Sequence, residues 1–301
     1  MAPRGRRLPR DGSLTARLTL SYFFLAVLYL AFMWVLYRVG LGFLPMVVIA
    51  GGLLLVQYYY SDRMVLAAMG AREVRPQDLP DVHAMVERLA AQVDLPKPRI
   101  ALMRTDMPNA FATGRDPSHA VVCVTTGILN RLTDPELEAV LAHELTHVKN
   151  RDMTIITMAS FFATVASFIV QWAFMFMPYG GMGGGGGRNR NNMGLVYLAS
   201  ILVWIISFFL IRAVSRYREY AADRGSAIIT GAPSQLMSAL QKISGVMGRI
   251  PTRDLRQVEN MSALFIMPAV SRDSLLELFQ THPSLEHRLA ALKRIEIEMN
   301  R

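Results

Sequence analysis

The chain has 301 residues, 52% of them hydrophobic, with a mean hydropathy of +0.28 and a formal charge of +9. It is long enough for one or two domains and too apolar for an ordinary soluble protein. The cations flank apolar runs: Arg4, Arg6, Arg7, Arg10 and Arg17 precede the first, and Arg212, Arg216, Arg218 and Arg224 follow the last. With no aromatic-basic motif or zinc-finger spacing beside them, they report membrane topology and argue against nucleic acid as a partner.

In chain order, a basic segment (1–17) leads into a predicted transmembrane hairpin (18–60). Its two uncharged runs, 18–37 and 39–60, are close to the roughly 20 residues that cross a bilayer as a helix. The first is too long for a signal-peptide core and lacks a small-residue cleavage site, so it reads as a retained anchor. Gly40, Gly42, Pro45, Gly51 and Gly52 interrupt the second, leaving full crossing and re-entry both open.

Residues 61–152 read as a domain on the cytoplasmic side. An amphipathic helix is expected over 78–93, then three strands at 99–103, 109–113 and 119–125, with Gly114 to Ser118 as the turn joining the last two. Cys123, the single cysteine, falls in an apolar strand pattern and reads as core; it excludes an internal disulfide. Thr133-Asp134-Pro135-Glu136 then offers a helix cap, a first-turn proline and the acid of a capping box. A second transmembrane pair (153–211) has spans at 153–177 and 193–211 around a glycine-rich connecting loop, 180–192. Residues 212–301 return to the cytoplasmic side as helices. The first runs to about Thr230, Gly231-Ala232-Pro233 breaks it, 248–262 is a polar loop, and further helices fall at 272–281 and 283–299. The fold class is therefore α+β, mainly α, with about four transmembrane helices and a cytoplasmic domain carrying a small sheet.

The helix after Thr133 carries His143-Glu144-Leu145-Thr146-His147. H-E-x-x-H on a helix places two imidazoles one turn apart on one face, the arrangement that binds one Zn²⁺, with a carboxylate beside the first as general base. A catalytic zinc takes three protein ligands and keeps a position for water, so one ligand is missing from the motif. Glu219 supplies it on topological grounds. It lies about two turns beyond the fourth span, and His147 lies a similar distance before the third. Asp223, one turn on from Glu219, is expected to accept a hydrogen bond from the outer nitrogen of His143 or His147. His83, His119 and His287 lack such a context and read as surface residues.

These motifs, in this order, resemble the HtpX-type membrane zinc metalloproteases, which are gluzincins related to the CAAX prenyl endopeptidases. Further residues carry the resemblance: Asn109-Ala110-Phe111-Ala112-Thr113-Gly114, and the late Thr281-His282-Pro283 with Arg288. It implies a zincin-like domain with one Zn²⁺ on His143, His147 and Glu219, and Glu144 as the base. It also implies Asn109, Ala110, Phe111 and Ala112 in an edge strand that receives substrate, and His282 and Arg288 as groups that stabilise the oxyanion or buttress the site. The implied activity is cleavage of misfolded or damaged membrane proteins, with self-cleavage as a further expectation, at a bacterial inner membrane, while an archaeal membrane would satisfy the same sequence. The partners are the lipid bilayer and unfolded or membrane proteins, with the oligomeric state left open. Processing of one lipidated or membrane substrate, and a noncatalytic zinc-organised scaffold, are the alternatives.

Overall fold

A computed structural model of the protein describes residues 12–38, 43–152, 188–247, 266 and 282–301. The expected third span, the glycine tract of 180–187, the 248–262 loop and the 272–281 helix lie outside these residues. Two long helices come first, α1 (Gly12–Arg38) and α2 (Phe43–Met69). The second passes unbroken through Gly51 and Gly52, and it continues past Ser61, where the sequence reading began the next segment, so 61–69 belongs to the same helix. Val65-Leu66-Ala67-Ala68-Met69 keeps the segment helix-forming, and Leu66 and Met69 are buried in the main core.

A four-stranded sheet follows, built from β1 (Arg72–Glu73), β2 (Arg99–Met103), β3 (Ala110–Thr113) and β4 (Val121–Thr125) in the order β1-β2-β4-β3. β2 and β4 are parallel and the outer pairings antiparallel. β4 is central, and all five of its residues are buried, which suits its run of valines. Burial pushes the Cys123 thiol up to about 12, so it behaves as core, as the sequence suggested. β1 was not foreseen, since two residues carry no periodicity. Helix α3 (Pro80–Gln92) places Val82, Val86 and Leu89 in the core. His83 is a correction: it is buried and not a surface residue, with Nε2 3.2 Å from the Val74 carbonyl oxygen. It neighbours Val82 and Val86 on the inward face, which a scan for metal-ligand spacing ignores.

The short α4 (Thr126–Leu129) leads to α5 (Asp134–Lys149), the helix with the two histidines. Then comes α6 (Arg188–Thr230), whose start places 188–192 in helix and not in the expected loop. At 1.5 Å per residue it is about 65 Å long, roughly twice the thickness of a bilayer's hydrocarbon, so one helix can both cross a membrane and carry a site outside it. Among the described residues it is the one helix long and apolar enough to cross, over Tyr197–Thr230; α1 contributes a shorter apolar stretch, Thr19–Phe32. Leu25, Tyr29 and Phe32 of α1 pack on Val203 and Val214 of α6. Gly231 ends α6 in the left-handed conformation, φ 68°. Helices α7 (Pro233–Met247) and α8 (Leu285–Met299) close the core with Leu236, Leu240, Ile243 and Leu292.

Candidate metal centre

Two anchors fix the helix that carries the histidines. At its start the capping box forms as expected, and the Glu136 carboxylate accepts the Thr133 N–H at 2.8 Å. The same carboxylate accepts from Ser238 at 2.6 Å and from Lys242 at 2.7 Å, both on α7. Burial opposes its charge, but these partners outweigh burial and hold its pKa down to about 2. Further along, α5 lies against α6 at very short range. A Cβ on Gly225 would overlap the Thr146 side chain, and Ser226 Oγ donates to the Ala139 carbonyl at 2.6 Å. Thr146 is thus more than filler inside the H-E-x-x-H motif, because it sets how closely the helix bearing Glu219 approaches.

That approach brings His143, His147 and Glu219 together, all buried. The two Nε2 atoms are 3.2 Å apart; His147 Nε2 lies 3.4 Å from Glu219 Oε1, and His143 Nε2 lies 3.6 Å from Glu219 Oε2. A tetrahedral ion bound at about 2.0–2.1 Å requires its ligand atoms roughly 3.3 Å from one another. The donor set therefore fits zinc in identity and in spacing.

Behind each imidazole stands a carboxylate held by an arginine. Asp223 Oδ1 lies 3.0 Å from His143 Nδ1, and Arg288 grips that carboxylate with two hydrogen bonds, Nε at 2.9 Å and Nη2 at 2.6 Å. On the other side Asp152 Oδ2 lies 2.6 Å from His147 Nδ1, and Arg218 Nε lies 3.2 Å from Asp152 Oδ1. With both outer nitrogens directed at carboxylates, both Nε2 atoms are left for the metal. Each of these aspartates has its arginine, and Glu144 and Glu219 are the carboxylates on the side where a divalent cation would sit. Burial opposes protonation of both histidines, but the neighbouring carboxylates prevail, raising His143 and holding His147 up to about 10.

Glu144 is buried, and burial is the largest influence raising its pKa. Its Oε2 accepts the Ala112 N–H at 2.9 Å. That bond comes from the edge of the sheet. Thr125 N donates to the Asn109 carbonyl, so in the antiparallel β3–β4 register Phe111 and Thr113 pair inward while Ala110 and Ala112 turn their backbone groups to the open side. Asn109 stands one residue outside the strand, whose expected bounds included it. It precedes the strand, its N–H donates to Thr125 Oγ1 at 2.9 Å, and its Oδ1 accepts from Ile266 N at 3.0 Å. Its hydrogen bonds therefore tie β3 to β4 and to the C-terminal part of the chain.

His282 and Arg288 both reach the site. His282 is buried, its Nδ1 lies 3.3 Å from Glu219 Oε2, and neither ring nitrogen has a hydrogen-bond partner among the described residues. Arg288 is fully buried, with Nη1 donating to the Ile266 carbonyl at 2.6 Å and lying 3.4 Å from Glu219 Oε2. Burial works against its charge, yet Asp223 and Glu219 raise its pKa above the ordinary value. Asp152 and Arg218 were missed by the sequence reading. Helical spacing from His147 puts Asp152 on another face, so no local pattern signalled it; the left-handed Arg151 is what returns it towards His147.

Residues 76–296 match the profile described as Peptidase family M48. Among curated proteins, one from Moorella thermoacetica named Protease HtpX homolog is 63% identical over 297 residues, covering 98% of both chains. Protease HtpX homolog 2 of Methanosarcina acetivorans is 53% identical over 295 residues, 98% of this chain and 99% of that one. Protease HtpX homolog 1 of Streptomyces coelicolor is 46% identical over 297 residues, 97% and 96%. Among solved structures, S. mikatae Ste24p superposes with a TM-score of 0.52 at 19% identity, over 91% of this chain and 63% of that one, a likeness of fold.

Proposed function

The chain belongs to peptidase family M48 and is a membrane-bound zinc metalloprotease, and we propose that it cuts misfolded or damaged membrane proteins, its own chain included, at the surface of the bilayer that anchors it. The observation that carries this reading is the convergence of His143, His147 and Glu219, from two helices, beside Glu144 and the edge strand β3. His143, His147 and Glu219 hold the metal. Bound zinc polarises a peptide carbonyl and brings the pKa of water to about 7.

Glu144 then takes the proton from the attacking water and returns it to the leaving amine. A carboxyl raised by burial suits both transfers, and a divalent cation beside it would lower that pKa again. An extended substrate adds to the outer edge of β3 through the backbone of Ala110 and the Ala112 carbonyl, while the Ala112 N–H holds Glu144 at that edge. His282, whose Nδ1 lies 3.3 Å from Glu219 Oε2 and whose Nε2 has no hydrogen-bond partner among the described residues, is the candidate donor to the developing oxyanion. Arg288, engaged by Asp223, buttresses His143.

The placement at a membrane rests on four spans at 18–37, 39–60, 153–177 and 193–211, with the arginines at their flanks setting the site on the cytoplasmic face. Large apolar side chains left exposed on α1, α2 and α6 support it, among them Leu30, Trp34, Leu55, Tyr59, Leu198 and Trp204. The test is cleavage of an unfolded reporter by detergent-purified protein, stripped by chelator and then supplied with zinc, beside Glu144→Ala. Activity restored by zinc in the wild type, and at least 10²-fold lower in the variant, is expected. Equal turnover by both proteins would remove Glu144 from the mechanism.

A further inference from the structure

Asp152 lies five positions beyond His147. Had α5 continued, it would carry residue 152 about 7.5 Å further along the axis and roughly 140° around it, out of reach of the imidazole. Instead α5 ends at Asn150, whose N–H bonds to the Thr146 carbonyl at 2.9 Å, and Arg151 takes a left-handed backbone, φ 56°. For a residue with a Cβ that conformation costs about 1–2 kcal/mol, and glycine is the usual occupant after a helix end. The reversal sets Asp152 Oδ2 2.6 Å from His147 Nδ1. Asp152 is 3% exposed, and its other oxygen meets Arg218, itself 6% exposed and one residue before Glu219.

We propose that Asp152, held by Arg218, is a positioning residue for His147 that ties this ligand to the point where the apolar segments meet the soluble domain. It rests on His147 being a metal ligand. Asp152 directly precedes the apolar run beginning at 153, and Arg218 follows the one ending at 211. Arg17 of α1 lies 6.0 Å from the ring centre of the adjacent Tyr217, so the first helix reaches the same point. A shift of α6 relative to the start of the 153–177 run therefore moves Arg218, and with it the carboxylate that fixes the tautomer and angle of His147. Removing such a carboxylate typically weakens metal binding 10–100-fold.

The experiment measures zinc affinity by competition with a chromophoric chelator on the full-length protein in detergent. It also measures the melting temperature with and without zinc, for wild type, Asp152→Asn, Asp152→Glu and Arg218→Lys. Asp152→Asn keeps the shape and loses the charge. It is expected to bind zinc 10–100-fold more weakly and to lose part of the zinc-induced rise in Tm, while the metal-free Tm stays near the wild-type value. Asp152→Glu should recover part of the affinity, and Arg218→Lys should lose less than Asp152→Asn. Equal lowering of the metal-free and metal-bound Tm, with wild-type affinity, would assign Asp152 a merely structural part and overturn the proposal. A wild-type protein that binds no zinc would overturn it together with the metal-centre reading, whereas tight wild-type binding with an unaffected Asp152→Asn overturns the proposal alone.

Discussion

The two imidazoles of the centre are supported in the same way from opposite sides, but from different material. His143 is backed by Asp223 and Arg288, both fully buried, joined by two hydrogen bonds and supplied by α6 and α8. His147 is backed by Asp152 and Arg218, slightly less buried and joined by a single 3.2 Å contact, next to the apolar runs. One support is a closed clamp within the folded domain. The other is a looser pair whose members stand next to the apolar runs in the sequence. The difference predicts that damage on the His143 side costs stability first, whereas damage on the His147 side costs metal affinity first.

Arg288→Met tests that contrast with the largest effect. It leaves Asp223 charged and buried with its principal counterion gone, and strands the Ile266 carbonyl; the expected cost is about 3–5 kcal/mol in denaturant unfolding of the metal-free protein. Arg218→Met should cost clearly less on the same measurement, and equal costs would break the distinction. Arg288→Lys should recover little, because an ammonium cannot reproduce the two-pronged grip.

Gly225→Ala acts on both supports, since it forces apart the helices that carry them. The new Cβ overlaps Thr146, for an expected loss of about 1–3 kcal/mol and weaker zinc binding. Adding Thr146→Ala removes the Cγ2 and Oγ1 overlaps, although the Thr146 Cβ remains close. Partial recovery of stability by unfolding, and of affinity by chelator competition, is expected.

How much of this was legible in the sequence follows from how far each interaction reaches. The capping box at Thr133 and Glu136, the H-E-x-x-H face and the strand of 99–103 are local patterns, and they stand in the structure where the residues put them. Glu219 was reached by counting turns along two helices. Asp152 was out of reach because helical spacing assigns it to another face, and only the left-handed Arg151 turns it back. Gly225 gave no signal, since a close approach depends on what faces it. Asn109 was placed in the strand by its neighbours, but the pairing with Thr125 and Ile266 that engages it is long-range.

Glu136 supplies the smallest effect and a control for the other two carboxylates, because it holds the same helix but no histidine. Its folded pKa of about 2 lies below the ordinary carboxylate value of about 4.3. The sign follows: the unfolded chain binds the proton more readily, so the stabilising contribution is complete above about pH 4.5 and is lost as pH falls through about 2. Glu136→Gln should cost about 1 kcal/mol at neutral pH, set by hydrogen bonds to Thr133, Ser238 and Lys242 that an amide reproduces incompletely. The difference from wild type should shrink progressively below pH 4.5 in acid unfolding. Zinc affinity at neutral pH should remain within about twofold of wild type, because the anchor lies two turns before His143, and the outer nitrogens of both histidines keep their partners. A loss of affinity as large as that expected for Asp152→Asn would mean that any weakening of α5 disturbs the metal, and the distinction between the two supports would then lose its basis.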